Sequence, residues 1–207
     1  MGTALAAFIE IFKATIPAAI GIGGVFVGAR LSRRKEDEAL KRQSAQDAAY
    51  LAALVGVGLD RFIDGCIAVT QDDGQPDAEG FRKSVSATPN FDPSEYPVEW
   101  RCLPAQLMYK ALDFPYSIGF ADEAISNAMT FAAMPPDFEE FFEERQSQYA
   151  ELGIKAMDIA KELRANASVP EREYHEFFQP RAIFEKTIGC VKQNQKSRYL
   201  ELPDFEQ

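Results

Sequence analysis

ATIPAAIGIGGVFVGARLSRRK, residues 14–35, sets sixteen residues without a charge against four cations within six positions. Whether this stretch crosses a membrane decides how the rest of the chain is read. A helix of that uncharged length reaches about 24 Å, short of the ~30 Å hydrocarbon core. It therefore borrows from the upstream TALAAFIEIFK, which is apolar except for Glu10 and Lys13. The result is a span over about residues 9–30. Lys13 snorkels to the interface, and Glu10, three positions away on the helix, partly offsets its charge. Ile16, Ile20, Ile22, Val25, Phe26 and Val27 each favour insertion by roughly 0.3–0.6 kcal/mol, and Pro17 and the glycines reduce the sum.

Three other readings compete with the span. A cleaved signal peptide fits Val27-Gly28-Ala29, but the positive leading region is missing and the cations lie on the wrong side of the apolar run. A helix buried in a soluble core accommodates a run of this length. A helix lying on the membrane surface needs a polar face, which residues 14–29 lack. The Met-Gly start does not match the myristoylation pattern, because Ala6 stands where Ser or Thr is required. Spanning accounts for the most features.

Orientation follows from the cations. Arg30, Arg33, Arg34 and Lys35 flank the C-terminal end of the span, and such residues stay on the cytoplasmic side. They are the topology determinants: a single-pass protein of the inner, cytoplasmic membrane, its N-terminus outside and residues 31–207 in the cytoplasm. Gly24 and Gly28 are spaced as GxxxG and continued by Ser32, the pattern of a helix-dimer seam and so of a homo-oligomer. Glycine is also frequent in membrane helices generally, and the spacing fits both.

The charge balance separates the same two parts. Residues 1–35 hold five cations against Glu10 alone, so they carry +4 and the remaining 172 residues carry −14. A body that acidic repels phosphate backbones, which argues against nucleic acid as a partner. A hydrophobic fraction of 46% is enough for a real core. Cys66, Cys102 and Cys190 are odd in number, with no CxxC spacing, and read as reduced thiols.

Beyond the anchor, residues 1–30, the expected fold is all-α: a cytoplasmic helical bundle, 31–207, with a long proline-containing connector. The helix carrying the span continues through residues 36–70, with the apolar run 48–59 as its buried centre. Twelve uncharged residues are too few for a second crossing, and the small Ala52, Ala53, Gly56 and Gly58 suit close packing. Asp60, Arg61 and Asp64 are expected to pair locally. Residues 71–103 form the irregular connector, with Phe81, Phe91, Tyr96 and Trp100 packed across the bundle. Pro104 opens a short helix and Pro115 closes it, and a second helix follows to Pro135-Pro136. Asp137 is expected to cap the next helix, whose face runs Phe138, Phe142, Arg145, Tyr149, Leu152, Ala156, Ile159, Leu163, with Arg145 as the polar break. Ser168-Val169-Pro170-Glu171 reads as a capping box launching a further helix that Pro180 interrupts.

No motif with chemistry stands out, and no residue is assigned a catalytic, cofactor-binding or metal role. Carboxylate-bridged di-iron bundles need two Glu-x-x-His motifs, and the chain has one histidine, His175. The FEEFFEER cluster reads as a solvated helix face, and the glycines of 21–28 lack the Lys-Ser/Thr of a phosphate loop. The expected function is non-enzymatic, without cofactors: a membrane-anchored interaction or scaffold protein holding a partner, or another copy of itself, at the inner face of the membrane. The alternatives are a ligand-sensing bundle that signals through the span, and a Cys/His hydrolase pairing one thiol with His175.

Overall fold

The structure, a computed structural model, describes the backbone of residues 2–201 and the side chains of residues 30–198. The chain divides into two compact units, residues 1–46 and 47–207. The described residues are all-α in class, with four helices: α1 (Gly2–Thr70), α2 (Ala105–Phe131), α3 (Glu139–Asn166) and α4 (Pro180–Glu201). The exception is an antiparallel ladder of β1 (Gln75–Pro76) on β2 (Arg82–Lys83), in the register Gln75 to Lys83. Among the described residues no helix is long and apolar enough to cross a membrane. The expected span, 9–30, falls almost wholly on residues whose side chains lie outside the description.

Within the second unit, α1 buries Leu51, Ala52, Val55, Leu59, Phe62, Ile63 and Cys66 at the three- and four-residue spacing of one helix face. Of the small residues, Ala52 and Gly56 are buried on this face, while Tyr50, Ala53, Val57, Arg61 and Asp64 form an exposed stripe on the other, so the run 48–59 is buried on one side only. Gly56 receives the Arg164 guanidinium of α3, and a Cβ at Gly56 would come within 3.1 Å of it. Gly58 lies directly under the Tyr96 hydroxyl. The face of α3 is buried as its periodicity predicts, from Phe142 through Leu163, Arg145 included, while Phe138 is half-buried. Packing α4 on α3 seats the fully buried Phe184 against Gly153.

The connector is a wall of the core. Phe91 is buried and packs edge-on against Phe114 (5.8 Å), which in turn meets Phe62 (5.1 Å). Tyr96 stacks on Phe91, and Trp100 is half-buried against the same cluster. Phe81 does not join them: it is exposed and lies beside Phe138.

Four local expectations are corrected. Pro115 does not close a helix, because α2 runs through it. Leu107, Ala111, Phe114, Ile118, Ala121 and Ile125 form one continuous buried face across the proline. That burial outweighs the ~3 kcal/mol helix penalty of an interior proline. Asp137 does not cap α3. Phe138 holds the cap position in the left-handed region (φ 53°) without a side-chain bond, while Asp137 pairs with Arg82 at 3.5 Å. The sequence Ser168–Glu171 ends a helix instead of starting one. Ser168 is left-handed (φ 53°), and the Val169 N–H donates to the Arg164 carbonyl at 2.9 Å, the six-to-one closure of a Schellman stop. Residues 170–179 are consequently irregular, and Pro180 begins α4 where a missing N–H costs nothing.

Candidate functional site

The sequence-level candidates lie at the start of the chain. Arg30, Arg33, Arg34 and Lys35 are exposed on α1, as is Ser32. Gly24 and Gly28, the rest of the expected dimer seam, lie outside the residues whose surroundings the structure describes.

The second unit contains a surface that sequence reading missed. At about 100° per residue, the buried residues of α2 occupy one side of the helix. Tyr109, Tyr116 and Phe120 occupy the opposite side, with Leu112 at its edge. The three aromatics are 67%, 71% and 72% exposed, so α2 is apolar on two opposed faces. A helix packed into a core by one face normally presents charge on the other. Here the outward face carries a groove of about 340 Å³ lined by Pro115, Tyr116, Gly119, Phe120 and Glu123. Its floor is open because a Cβ at Gly119 would meet nothing within 4 Å.

The charges that α2 itself sets beside this face are acidic, while Lys155 of α3 reaches its Phe120 edge and donates to the Ser117 hydroxyl at 2.6 Å. Glu123 lines the groove, and Asp113 lies beside Tyr109, where its charge and hydrogen bond push the phenol pKa up. The nearest cation on the helix, Lys110, is drawn to the flank by Glu162 of α3 at 2.7 Å. Reading Pro115 as a stop divided this stripe between two short helices and hid it. The spacing 109, 112, 116, 120 shows it once the two pieces are joined.

The acids at the end of the apolar run of α1 pair across the fold, which corrects the expected local pairing. Asp60 receives a two-pronged bond from Arg164 of α3 (2.6 and 3.2 Å), with both side chains mostly buried. Asp64 receives Arg172 from the loop 167–179 at 3.0 Å. Arg145, the polar break on α3, is itself an anchor. Its guanidinium donates to the Asp72 carboxylate (3.0 Å) and to the Ser86 carbonyl, and both ionic side chains are 3% exposed. Asp72 also accepts the backbone N–H groups of Gly74 (3.0 Å), Val85 (2.9 Å) and Ser86 (2.8 Å), closing the first half of the connector onto α3.

Three of the four glutamates of FEEFFEER are engaged from α4, where Arg198 pairs with Glu139, Glu140 and Glu143, while Glu144 accepts from Gln148 on its own helix at 2.7 Å. Among the described residues no group of three or more His, Cys, Asp or Glu is placed to hold a metal ion. Cys66 is fully buried, and burial pushes its thiol pKa well up. Cys102 is half-buried and shifted in the same direction by burial, while Cys190 is exposed. His175 is exposed, stacks on Phe177 and accepts the Phe177 N–H within its own loop at 3.4 Å. The geometry around His175 therefore adds nothing in favour of a thiol–imidazole pair. Compared with known proteins, the chain matches no protein-family model, no curated protein and no solved structure.

Proposed function

We propose that this is a membrane-anchored interaction protein that holds a partner at the inner face of the membrane by docking a basic amphipathic helix on the outer face of α2. The observation that carries this reading is the aromatic stripe Tyr109, Tyr116, Phe120, set opposite the buried face of the same helix. Contiguous exposed apolar surface with a polar rim is the mark of a protein-binding site. An amphipathic helix in an apolar groove is a recurrent way to fill one. The α2 acids Asp113 and Glu123, on a body of charge −14, favour a partner helix with cations beside its apolar stripe, and Lys155 at the Phe120 edge leaves room there for one acid. Anchoring rests on the uncharged run 14–29, and orientation rests on Arg30, Arg33, Arg34 and Lys35. The glycine spacing of 24 and 28 allows the anchors to pair.

The test is photocrosslinking of the full chain in native membranes. A photoreactive phenylalanine analogue replaces Tyr116, or Glu185 on the exposed side of α4 as control. A discrete adduct from position 116 that the control lacks, and that Phe120→Glu removes, is the expected result. Equal labelling from both positions, or none, overturns the docking face. An adduct with a second copy of the chain replaces the foreign partner with self-association.

A further inference from the structure

The loop 167–179 folds against α1 and α3 and, with the first turn of α4, lines a second, partly open cavity of about 250 Å³. This cavity shares no lining with the α2 groove and is independent of the docking reading. Its floor is apolar, formed by the buried Ile63 and Ala160. Its walls bring together cations from three separate segments: Lys161 and Arg164 of α3, Arg172 of the loop and Arg181 of α4. Two carboxylates, Asp60 and Glu171, share the lining. Two further carboxylates behind the walls, Asp64 and Asp158, pair with Arg172 and Arg181, so each of the four cations has an acid partner.

The internal ion pairs leave donors over. Arginine has five N–H groups and lysine three. Arg164 uses its fork on Asp60. Arg172 donates to the Asp64 carboxylate (3.1 Å) and the Asp60 carbonyl (3.3 Å). Arg181 donates from a single nitrogen to Asp158, which does not line the cavity. Lys161 has Glu171 at 3.9 Å, within ion-pair range but beyond a hydrogen bond. Lys161, Arg172 and Arg181 thus retain N–H groups on the walls of one small space.

The donor pattern defines the group that is bound. The cavity opens to solvent on one side, so it fixes where a charged head group sits and not the size of what is attached to it. A phosphate monoester offers three terminal oxygens and up to two charges to donors arriving from three directions, which a planar carboxylate does not. The apolar floor, with the Tyr174 ring beside it, suits the organic part. From this we infer that the cavity between α1, α3 and the loop 167–179 binds a phosphate monoester. Lys161 and Arg181 are its exchangeable contacts, and the Asp60–Arg164 pair is its fixed wall. The same group occurs in free phosphorylated metabolites and in the headgroup of phosphatidate.

The experiment titrates phenyl phosphate into the full chain in mild detergent, followed by isothermal calorimetry. Benzoate is the carboxylate comparison. Saturable binding of phenyl phosphate, at least about tenfold tighter than benzoate, is expected. The double variant Lys161→Ala/Arg181→Ala, in which the side chains are 66% and 42% exposed and outside the core, should weaken binding by about tenfold or more with unchanged circular dichroism. Lys110→Ala, at a cation that does not line the cavity, should leave binding unchanged. Competition by short-chain phosphatidate assigns the headgroup as the source, and its failure to compete assigns a free ester. No saturable phenyl phosphate binding below about 10 mM, or equal binding by the double variant, overturns the inference.

Discussion

Arg145 occupies the one polar position on an otherwise apolar helix face, and its partner Asp72 lies 73 residues away in the chain. A buried ion pair is costly to break from one side, since the remaining charge stays desolvated. Arg145→Met should therefore lower unfolding stability by about 3 kcal/mol, measured by chemical denaturation. Acid sensitivity follows from the same pair. Burial alone would raise the Asp72 pKa, but the N–H groups of Ser86, Gly74 and Val85, together with Arg145, outweigh it and hold the carboxyl below its ordinary value. A folded-state pKa below the unfolded value of about 3.9 means that the folded protein binds fewer protons in that window. The stabilisation is complete above about pH 5 and is lost as pH falls through the folded value. Asp72→Asn should flatten this acid limb, and parallel pH profiles for wild type and variant would rule the account out. The break at Arg145 was legible in the sequence. Its partner was not, because spacing along α3 carries no information about a carboxylate at the end of another helix.

Glycines illustrate the element scale, since identical residues have opposite consequences. Gly153 of α3 faces the Phe184 ring, whose atoms would lie 2.4 to 2.9 Å from an added Cβ. Gly189 of α4 faces open space. Alanine gains up to about 1 kcal/mol of helix propensity over glycine at either site, while overpacking a buried ring costs about 1–3 kcal/mol. Thermal denaturation should show Gly189→Ala stabilised and Gly153→Ala destabilised. A stabilised Gly153→Ala would mean that α4 is not seated on α3 through this contact. Pro115 and the segment 168–179 belong to the same scale. Proline and capping signals are local preferences of a few kcal/mol or less, and a continuous buried face or a left-handed stop at Ser168 overrides them. Dividing α2 at Pro115 splits its aromatic stripe between two helices, and a helix launched at Ser168 leaves no loop to line the cavity beside α1 and α3.

For the whole molecule, the decisive prediction is that the protein resists alkaline carbonate extraction and stays in the membrane pellet. Protease added outside sealed cells should spare residues 31–207. Recovery in the soluble fraction removes the anchor, and external digestion of the C-terminal unit reverses its orientation. The all-α class, the continuity of α1 to Thr70, the burial of one side of the run 48–59 and the buried face of α3 were determined by sequence alone. Each is a matter of periodicity within one segment, and burying an apolar stripe is the main driving force available to it. Only the tertiary structure decided the pairing of Asp60 with Arg164 and of Asp72 with Arg145, the opposed apolar faces of α2, and the convergence of Lys161, Arg172 and Arg181 on one cavity. These depend on which segments meet. That is set by the joint packing of the core, in which residues a hundred positions apart become neighbours and no local pattern records it.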